Sequence, residues 1–376
     1  MSTVSKPLEG LLVLDFSQFL SGPSASLRLA DLGARVIKVE HHEKGDLSRS
    51  IYASHFNIAN ESAFYQAINR GKESLKLNLK DADDLALALK IAAKADVVMH
   101  NFRPGVMQRL GLSYEHLCKL NDKLVYGEIS GYGNEGPWSK EPGQDLLLQA
   151  LSGLTGLSGS DSDDAMPMGL AIADNLAGAQ LVQGLLAALF SGEPILVQVS
   201  MLEAILDFQF EPLTLYYQDA EPIVRGDVNS AHSLVGAPYG LYQCSNGYIA
   251  LAMGAIPKLG ELLSCDALLA YSESSTWFAK RDEIKQILAD FLVSNTCEHW
   301  LSILEPADIW CAQVLNWKQL LEHDGFKVLN MVQEVKGQNS QYLTTRCPIK
   351  FDDQALLSER AAPSLGEHNE SLRAEF

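Results

Sequence analysis

Short, densely apolar runs alternate along this chain with longer stretches in which apolar residues recur at helical spacing, and that alternation predicts its architecture. Residues 11–16, LLVLDF, read as a buried strand, and RVIKVE at 35–40 as a second. Between them lie a loop, SQFLSGP, and a short helix through SASLRLADLG, where Pro23 suits a first helical turn and Gly33 a helix end. Strand, loop, helix and strand within about 30 residues make a βαβ unit, which implies parallel strands. The pattern continues with DADDLALALKIAAKA as helix, DVVMH as strand, QRLGLSYEHLCKL as helical and KLVYGEIS as strand. The stretch GLAIADNLAGAQLVQGLLAALF, residues 169–190, is apolar on most sides, as a buried helix is. PILVQVS (strand) and MLEAILDFQFEPL (helix) follow. The prediction is an α/β fold whose large domain, residues 1–205, is a Rossmann-like, doubly wound parallel sheet.

From about residue 218 the texture changes. In APYGLYQCSNGYIALAMG two strands join through Asn246-Gly247, a strong hairpin signal. KRDEIKQILADFLV and CEHWLSIL read as helices beyond it, so a smaller α+β domain is expected over 225–315. The proline-bearing tail, 330–376, is expected to return to the large domain.

Composition narrows the function. With 47% hydrophobic and 20% charged residues the chain reads as an ordinary soluble protein. No apolar run is expected to reach the roughly 20 residues of a membrane span, and MSTVSKPLEG lacks the core of a signal peptide. The six cysteines are scattered without a CxxC pair, which fits reduced thiols and a cytoplasmic location and argues against a zinc site. A net charge of −18 argues against a nucleic-acid partner. Its distribution is uneven: residues 1–110 carry 14 Lys and Arg against 12 Asp and Glu, the remainder 15 against 35. A locally positive first third suits a small anionic ligand.

In an open α/β sheet, ligands bind beyond the carboxyl ends of the strands, where SQFLSGP, NFRPG and GYGNEGP fall. None of the three is expected to carry the G-x-G-x-x-G spacing of a dinucleotide fingerprint or the pattern of a P-loop, which argues against a nicotinamide oxidoreductase. No G-x-S-x-G elbow and no H-x-x-x-H pair occurs, so serine hydrolase and zinc enzyme readings are weak. Two carboxylates near loop ends stand out, Asp145 and Asp174. Each has a plain structural reading: Asp145 as cap of the helix LLLQAL, and Asp174 as N-cap of the apolar helix. The stretch around Asp174, taken by itself, favours the cap.

GLLVLDFSQFLSGPSASLRLADLGARVIKVEHHEKGDLSR resembles the opening of the family III CoA-transferases, the formyl-CoA and carnitine CoA-transferase type. The resemblance runs in order through NRGKESLKLNLK, ADVVMHNFRPGVMQRLGLSYEHL, LVYGEISGYGNEGP, IADNLAGAQLVQGLLAAL and VQVSMLEAIL to RAAPSLGEHNESL, nearly the whole chain. It implies that Asp174 is the acyl-accepting nucleophile and that Asp145 assists it. It implies CoA contacts at Phe19, Leu20, Ser21, His41, Leu77, Lys80, Asn101, Phe102 and Arg109. Gly178, one turn beyond Asp174, then has two readings, room for a thioester or simple helix packing. The resemblance further implies acyl-CoA and a small carboxylic acid as substrates, no permanently bound cofactor or metal, and an interlocked homodimer with linking segments near 210–235 and 315–345. Three departures are visible: His41 where an arginine is common, the short SGEPI before VQVSMLEA, and no glycine-rich loop after LAMG. The same superfamily contains α-methylacyl-CoA racemase, whose histidine base would fall at Gln144, a side chain that exchanges no proton at neutral pH. A non-catalytic acyl-CoA-binding protein is the third reading.

Overall fold

The computed structural model describes residues 6–51, 57–58, 61–221, 223–338 and 340–376. The chain forms two compact units, one of Met1–Leu148, Ala171–Phe208 and Val328–Phe376, the other of Gln149–Leu170 and Gln209–Lys327. The first unit is built on six parallel strands: β1 (Leu12–Asp15), β2 (Arg35–His41), β3 (Glu73–Leu77), β4 (Val97–His100), β5 (Val125–Ser130) and β6 (Leu196–Ser200). Their order across the sheet is β3-β2-β1-β4-β5-β6, that of the doubly wound dinucleotide-binding fold. Its helices are α1 (Ser21–Asp31), α2 (Ala82–Ala92), α3 (Asp145–Leu151, where the chain passes to the other unit), α4 (Ile172–Ser191) and α5 (Met201–Phe208).

Alternation along the strands sorts their side chains between two faces. Leu14, Phe16, Ile37, Val39, Leu75, Val98 and Tyr126 form one cluster with Leu87 and Ile91 of α2 and with Leu372 of the helix Asn369–Glu375. Asp81 starts α2, its carboxylate accepting from the backbone N–H groups of Asp83 and Asp84. On the other face α4 lies directly over β5. A Cβ at Gly127 would stand 3.1 Å from both Leu181 and Leu185, so the glycine lets the helix approach. Both leucines are fully buried, and such burial stabilises by roughly 2 kcal/mol per side chain.

Several expectations need correction. Strand β3 was not anticipated, because ESLKL mixes charge into a buried strand; Glu73 is neutralised by Arg35 at 2.9 Å, and Ser74 donates to Glu40 at 2.6 Å. QRLGLSYEHLCKL folds as two separate turns of helix, Val106–Arg109 and Tyr114–Leu117, and MLEAILDFQFEPL breaks at Gln209. One apolar stretch does reach the length and composition of a membrane span, the 20-residue α4, and its buried side packs on α1, α5 and β5. GYGNEG at 131–136 does have G-x-G-x-x-G spacing, but it follows the fifth strand and no helix begins before Asp145, so it does not place a helix N-terminus beneath a phosphate. Part of the positive charge of residues 1–110 is neutralised within the fold by acids of the same segment, which leaves the net surplus unchanged. Lys38, Arg35, Arg49 and Arg70 are held in ion pairs with Asp46, Glu73, Glu40 and Asp31.

The second unit holds α6 (Phe210–Asp219) and the expected hairpin, β7 (Gly240–Cys244) and β8 (Gly247–Leu251), turning at Ser245-Asn246. It also holds α7 (Ile256–Leu263), α8 (Arg281–Leu292), α9 (Cys297–Leu304) and β9 (Cys311–Gln313). Tyr242, Ile249, Leu259, Leu288 and Trp300 fill its core. Residues 149–170, expected within the large domain of 1–205, belong here. The side chain of Gln149 binds the backbone of Met168 and Leu170, and the Arg225 guanidinium donates to the carbonyls of Ser158 and Asp163. This segment carries no strand or periodic helix to reveal where it packs, so the boundary is not visible in its pattern.

Candidate active site

The strand order reverses between β1 and β4, so the loops leaving their carboxyl ends diverge and open a crevice. One side chain ties the two loops together. Asn101, just past β4, accepts from the Gln18 N–H at 2.8 Å and donates to the Gln18 carbonyl at 2.7 Å and to the Ser21 hydroxyl at 3.1 Å. Phe19, within the β1 loop, takes a left-handed backbone (φ 62°), uncommon for an aromatic residue, and its N–H is held by Asp46 at 3.1 Å.

Two helix N-termini meet at Asp174. It is the third residue of α4, and its partly exposed carboxylate lies beside the N–H and the hydroxyl of Ser21, the first residue of α1, which favour its anion. The two helices can come this close because residue 178 is glycine. A Cβ there would fall 2.7 Å from the Ser21 carbonyl and collide with the Ser24 hydroxyl. The packing reading of Gly178 is therefore the one observed; the space that a side chain would take belongs to α1, not to a thioester.

Asp145 does not cap LLLQAL. It is itself the first residue of α3, and its carboxylate accepts from the Ala173 N–H at 2.7 Å, capping α4 one residue before Asp174. The approach of two backbones fixes its position: a Cβ on Gly131 would stand 2.7 Å from the Gly143 Cα, so the loop after β5 crosses the segment entering α3. Burial pushes the Asp174 carboxyl up to about 6, the Asp145 charge adds to this, and the nearby N–H and hydroxyl of Ser21 oppose it.

The remaining implied contacts lie along the same carboxyl edge of the sheet. Phe19 is exposed and Leu20 partly so, at the start of α1. His41 and Leu77 are register partners at the ends of β2 and β3. The His41 ring nitrogen Nδ1 accepts from the backbone of Glu43 and Lys44, and the ring stacks on His42 with centroids 4.5 Å apart. Leu77 is only 2% exposed and belongs to the core, so its side chain supports the edge from within. Lys80 and Arg109 are exposed, as are Lys44 and Arg103, and none of the four forms an ion pair among the described residues. Phe102 packs against the core cluster and stacks on His100, and Asn101 is engaged by Gln18. The sequence suggested Ser21 as a ligand contact but not its place beside Asp174, because nothing in the spacing relates positions 21 and 174.

The family model of CoA-transferase family III matches residues 8–369. An acetyl-CoA:oxalate CoA-transferase of Acetobacter aceti is 31% identical, with 98% of this chain and 96% of that protein aligned. A succinate–glutarate CoA-transferase of Agrobacterium fabrum is 29% identical over the same shares. The crystal structure of a CAIB/BAIF family protein from Brucella suis superposes with a TM-score of 0.85 at 26% identity, covering 98% of this chain and 99% of that one. A parallel sheet in 3-2-1-4-5-6 order, a carboxylate at its switch point and a full-length match converge on one assignment: the chain belongs to CoA-transferase family III.

Proposed function

We propose that this enzyme moves CoA between an acyl-CoA thioester and a free carboxylic acid by a covalent relay on Asp174. The observation that supports this reading is a carboxylate lodged between two helix N-termini, beside the N–H and hydroxyl of Ser21. Asp174 attacks the donor carbonyl, the carbon–sulfur bond breaks, and an aspartyl–acyl anhydride and CoA thiolate result. The thiolate attacks the aspartyl carbonyl and expels the donor acid, which leaves CoA as a thioester on Asp174. The acceptor carboxylate attacks that thioester, releasing thiolate and forming a second anhydride. Attack of the thiolate on the acceptor's acyl carbon then gives the new acyl-CoA and regenerates the aspartate. No proton is gained or lost overall, so the site needs donors that stabilise oxyanions rather than a general base, and Ser21 supplies two. Gln144, where the racemase reading needs a histidine, offers no proton exchange.

Exposed cations at the ends of β2, β3 and β4 (Lys44, Lys80, Arg103, Arg109) suit the phosphates of CoA. The relatives named above act with oxalate and with glutarate, so dicarboxylic acids head the list of acceptors to try. Intact-protein mass after incubation with a panel of acyl-CoAs tests the relay. Wild type is expected to gain a hydroxylamine-sensitive acyl or CoA adduct that Asp174→Ala lacks; an equal adduct on both proteins would place the nucleophile elsewhere.

Because the carboxyl of Asp174 sits at about 6 and the attacking form is the anion, transfer should rise with pH through that value and level off above it. Asp145→Asn removes a charge that raises this pKa, so its acid limb is expected at lower pH than that of wild type. An unmoved limb would mean that the pH dependence arises elsewhere.

We also infer a homodimer. The α6 stretch and the segment after β9 carry large apolar side chains in solvent, among them Phe210, Tyr217 and Trp317, the last 84% exposed. These are the segments where linking strands of an interlocked pair would run. Size-exclusion chromatography with light scattering should give twice the chain mass, and a stable monomer would rule the dimer out.

A further inference from the structure

Strand β2 carries a lysine in the middle of an apolar run, VIKVE, and the network around it has no part in the relay described above. Lys38 is fully buried, as are Asp46, Asp15 and Lys72. A buried ion pair is weak support for stability, since an apolar pair of similar volume often serves as well. What these four charged groups hold is therefore informative.

They hold one loop. Lys38 donates to the Ser17 carbonyl at 2.7 Å and pairs with Asp46 at 2.7 Å, and Asp46 in turn accepts from the Phe19 N–H at 3.1 Å. Asp15 accepts from the Ser17 N–H at 2.8 Å and from the Ser26 hydroxyl at 2.5 Å. Lys72 donates to the Pro23 carbonyl at 2.9 Å. With Asn101 on both polar groups of Gln18, the backbone from Ser17 to Phe19 is fixed almost wholly by side chains reaching in from the sheet. Two residues beyond Phe19 comes Ser21, whose N–H and hydroxyl meet Asp174.

We propose that Lys38 and Asp46 are positioning residues for acyl transfer: their buried pair holds the β1 loop so that Ser21 is aimed at Asp174. The assignment rests on Asp174 being the nucleophile. A buried carboxylate accepting the Phe19 N–H and a buried ammonium on the Ser17 carbonyl leave the loop little freedom, even with Phe19 in a left-handed conformation. Burial opposes the charge on Lys38, but Asp46, Asp15 and Glu40 outweigh it, and the pair stays ionised.

The experiment compares wild type, Lys38→Met/Asp46→Leu, Asp46→Asn and Asp174→Ala in one single-turnover acylation assay with acetyl-CoA, followed by mass, across pH. The double variant removes both charges together, so neither is left buried alone, and its unfolding midpoint in urea is expected near that of wild type. Its acylation rate is expected to fall about 100-fold, the scale of a misplaced reacting group, with the KM for acetyl-CoA within about threefold. Its acid limb should move up by about one pH unit, because a displaced Ser21 N–H and hydroxyl stabilise the anion less. A purely structural pair would leave that limb in place. Asp46→Asn keeps the acceptor for the Phe19 N–H, so it should recover most of the rate, and it carries the test if the double variant does not fold: loss of the rate in Asp46→Asn with an unmoved limb overturns the proposal. A folded double variant acylated at the wild-type rate with the wild-type limb also overturns it. Acylation of Asp174→Ala at the wild-type rate would instead overturn the relay itself.

Discussion

Asp174→Asn is expected to lose CoA transfer and to gain stability at neutral pH. The loss follows from the relay: an amide forms no anhydride, and removing a covalent nucleophile commonly lowers kcat by about 10³-fold or more. The gain follows from linkage. In the folded protein the carboxyl titrates at about 6, against 3.8 as the ordinary value, so the folded state binds its proton more tightly than the unfolded one. The favourable contribution of this group is complete below about pH 4 and is lost as pH rises through 6. A proton held about a hundredfold more tightly corresponds to about 3 kcal/mol, and a partly exposed group in screening solvent retains about 1–2 kcal/mol of that. Urea unfolding of both proteins at pH 5 and pH 8 checks the sign. The variant should be more stable at pH 8 by about 1–2 kcal/mol and less so, or not at all, at pH 5. An opposite trend would mean that Asp174 is stabilised as the anion in the resting protein, as a plain helix cap is.

Gly178→Ala should be nearly as damaging to activity and should destabilise as well. Within an exposed helix, alanine in place of glycine stabilises by about 1 kcal/mol. Here the new methyl would lie 2.7 Å from the Ser21 carbonyl, a backbone atom with little room to yield. Helix α1 has to withdraw from α4, at a cost of about 1–3 kcal/mol that exceeds the propensity gain. Withdrawal also draws the Ser21 N–H and hydroxyl off Asp174, and a displacement of about 1 Å at a reacting group costs about 100-fold in rate. Thermal unfolding together with single-turnover acylation measures both effects. A variant within twofold of wild type in rate and no less stable would show that α1 is not held against α4 by this contact.

How much of this was legible beforehand depended on whether the physics was local. Runs such as LLVLDF and RVIKVE announced their strands, Asn246-Gly247 its hairpin, and CEHWLSIL its helix to the residue, because period and turn chemistry act over a few neighbours. Strand β3 was missed because its polar residues are satisfied by Arg35 and Glu40, partners far away in sequence. The position of Asp174 as a candidate could be read from the stretch around it and from the family resemblance. Its electrostatics could not: that the second carboxylate caps the helix of the first, and that the N–H and hydroxyl of a distant serine lie beside it, follow only from the fold. Lys38 did leave a trace, a charge inside an apolar strand, but only the fold shows which loop it secures.

The position of Ser21 at the head of α1 has one more consequence. In dinucleotide-binding relatives of this topology, the first crossover helix receives the pyrophosphate of a cofactor on its free N–H groups. Here the protein has filled that berth with a carboxylate of its own. On the proposed reading, a diphosphate arriving from outside would find the place taken by a like charge, which would steer the nucleotide end of CoA toward the neighbouring edge, where His41, Lys44 and Lys80 stand exposed. Only when the carboxylate becomes an anhydride or thioester carbonyl does that charge vanish, so on the relay mechanism the old phosphate seat is electrically vacated once and refilled once in every full turnover.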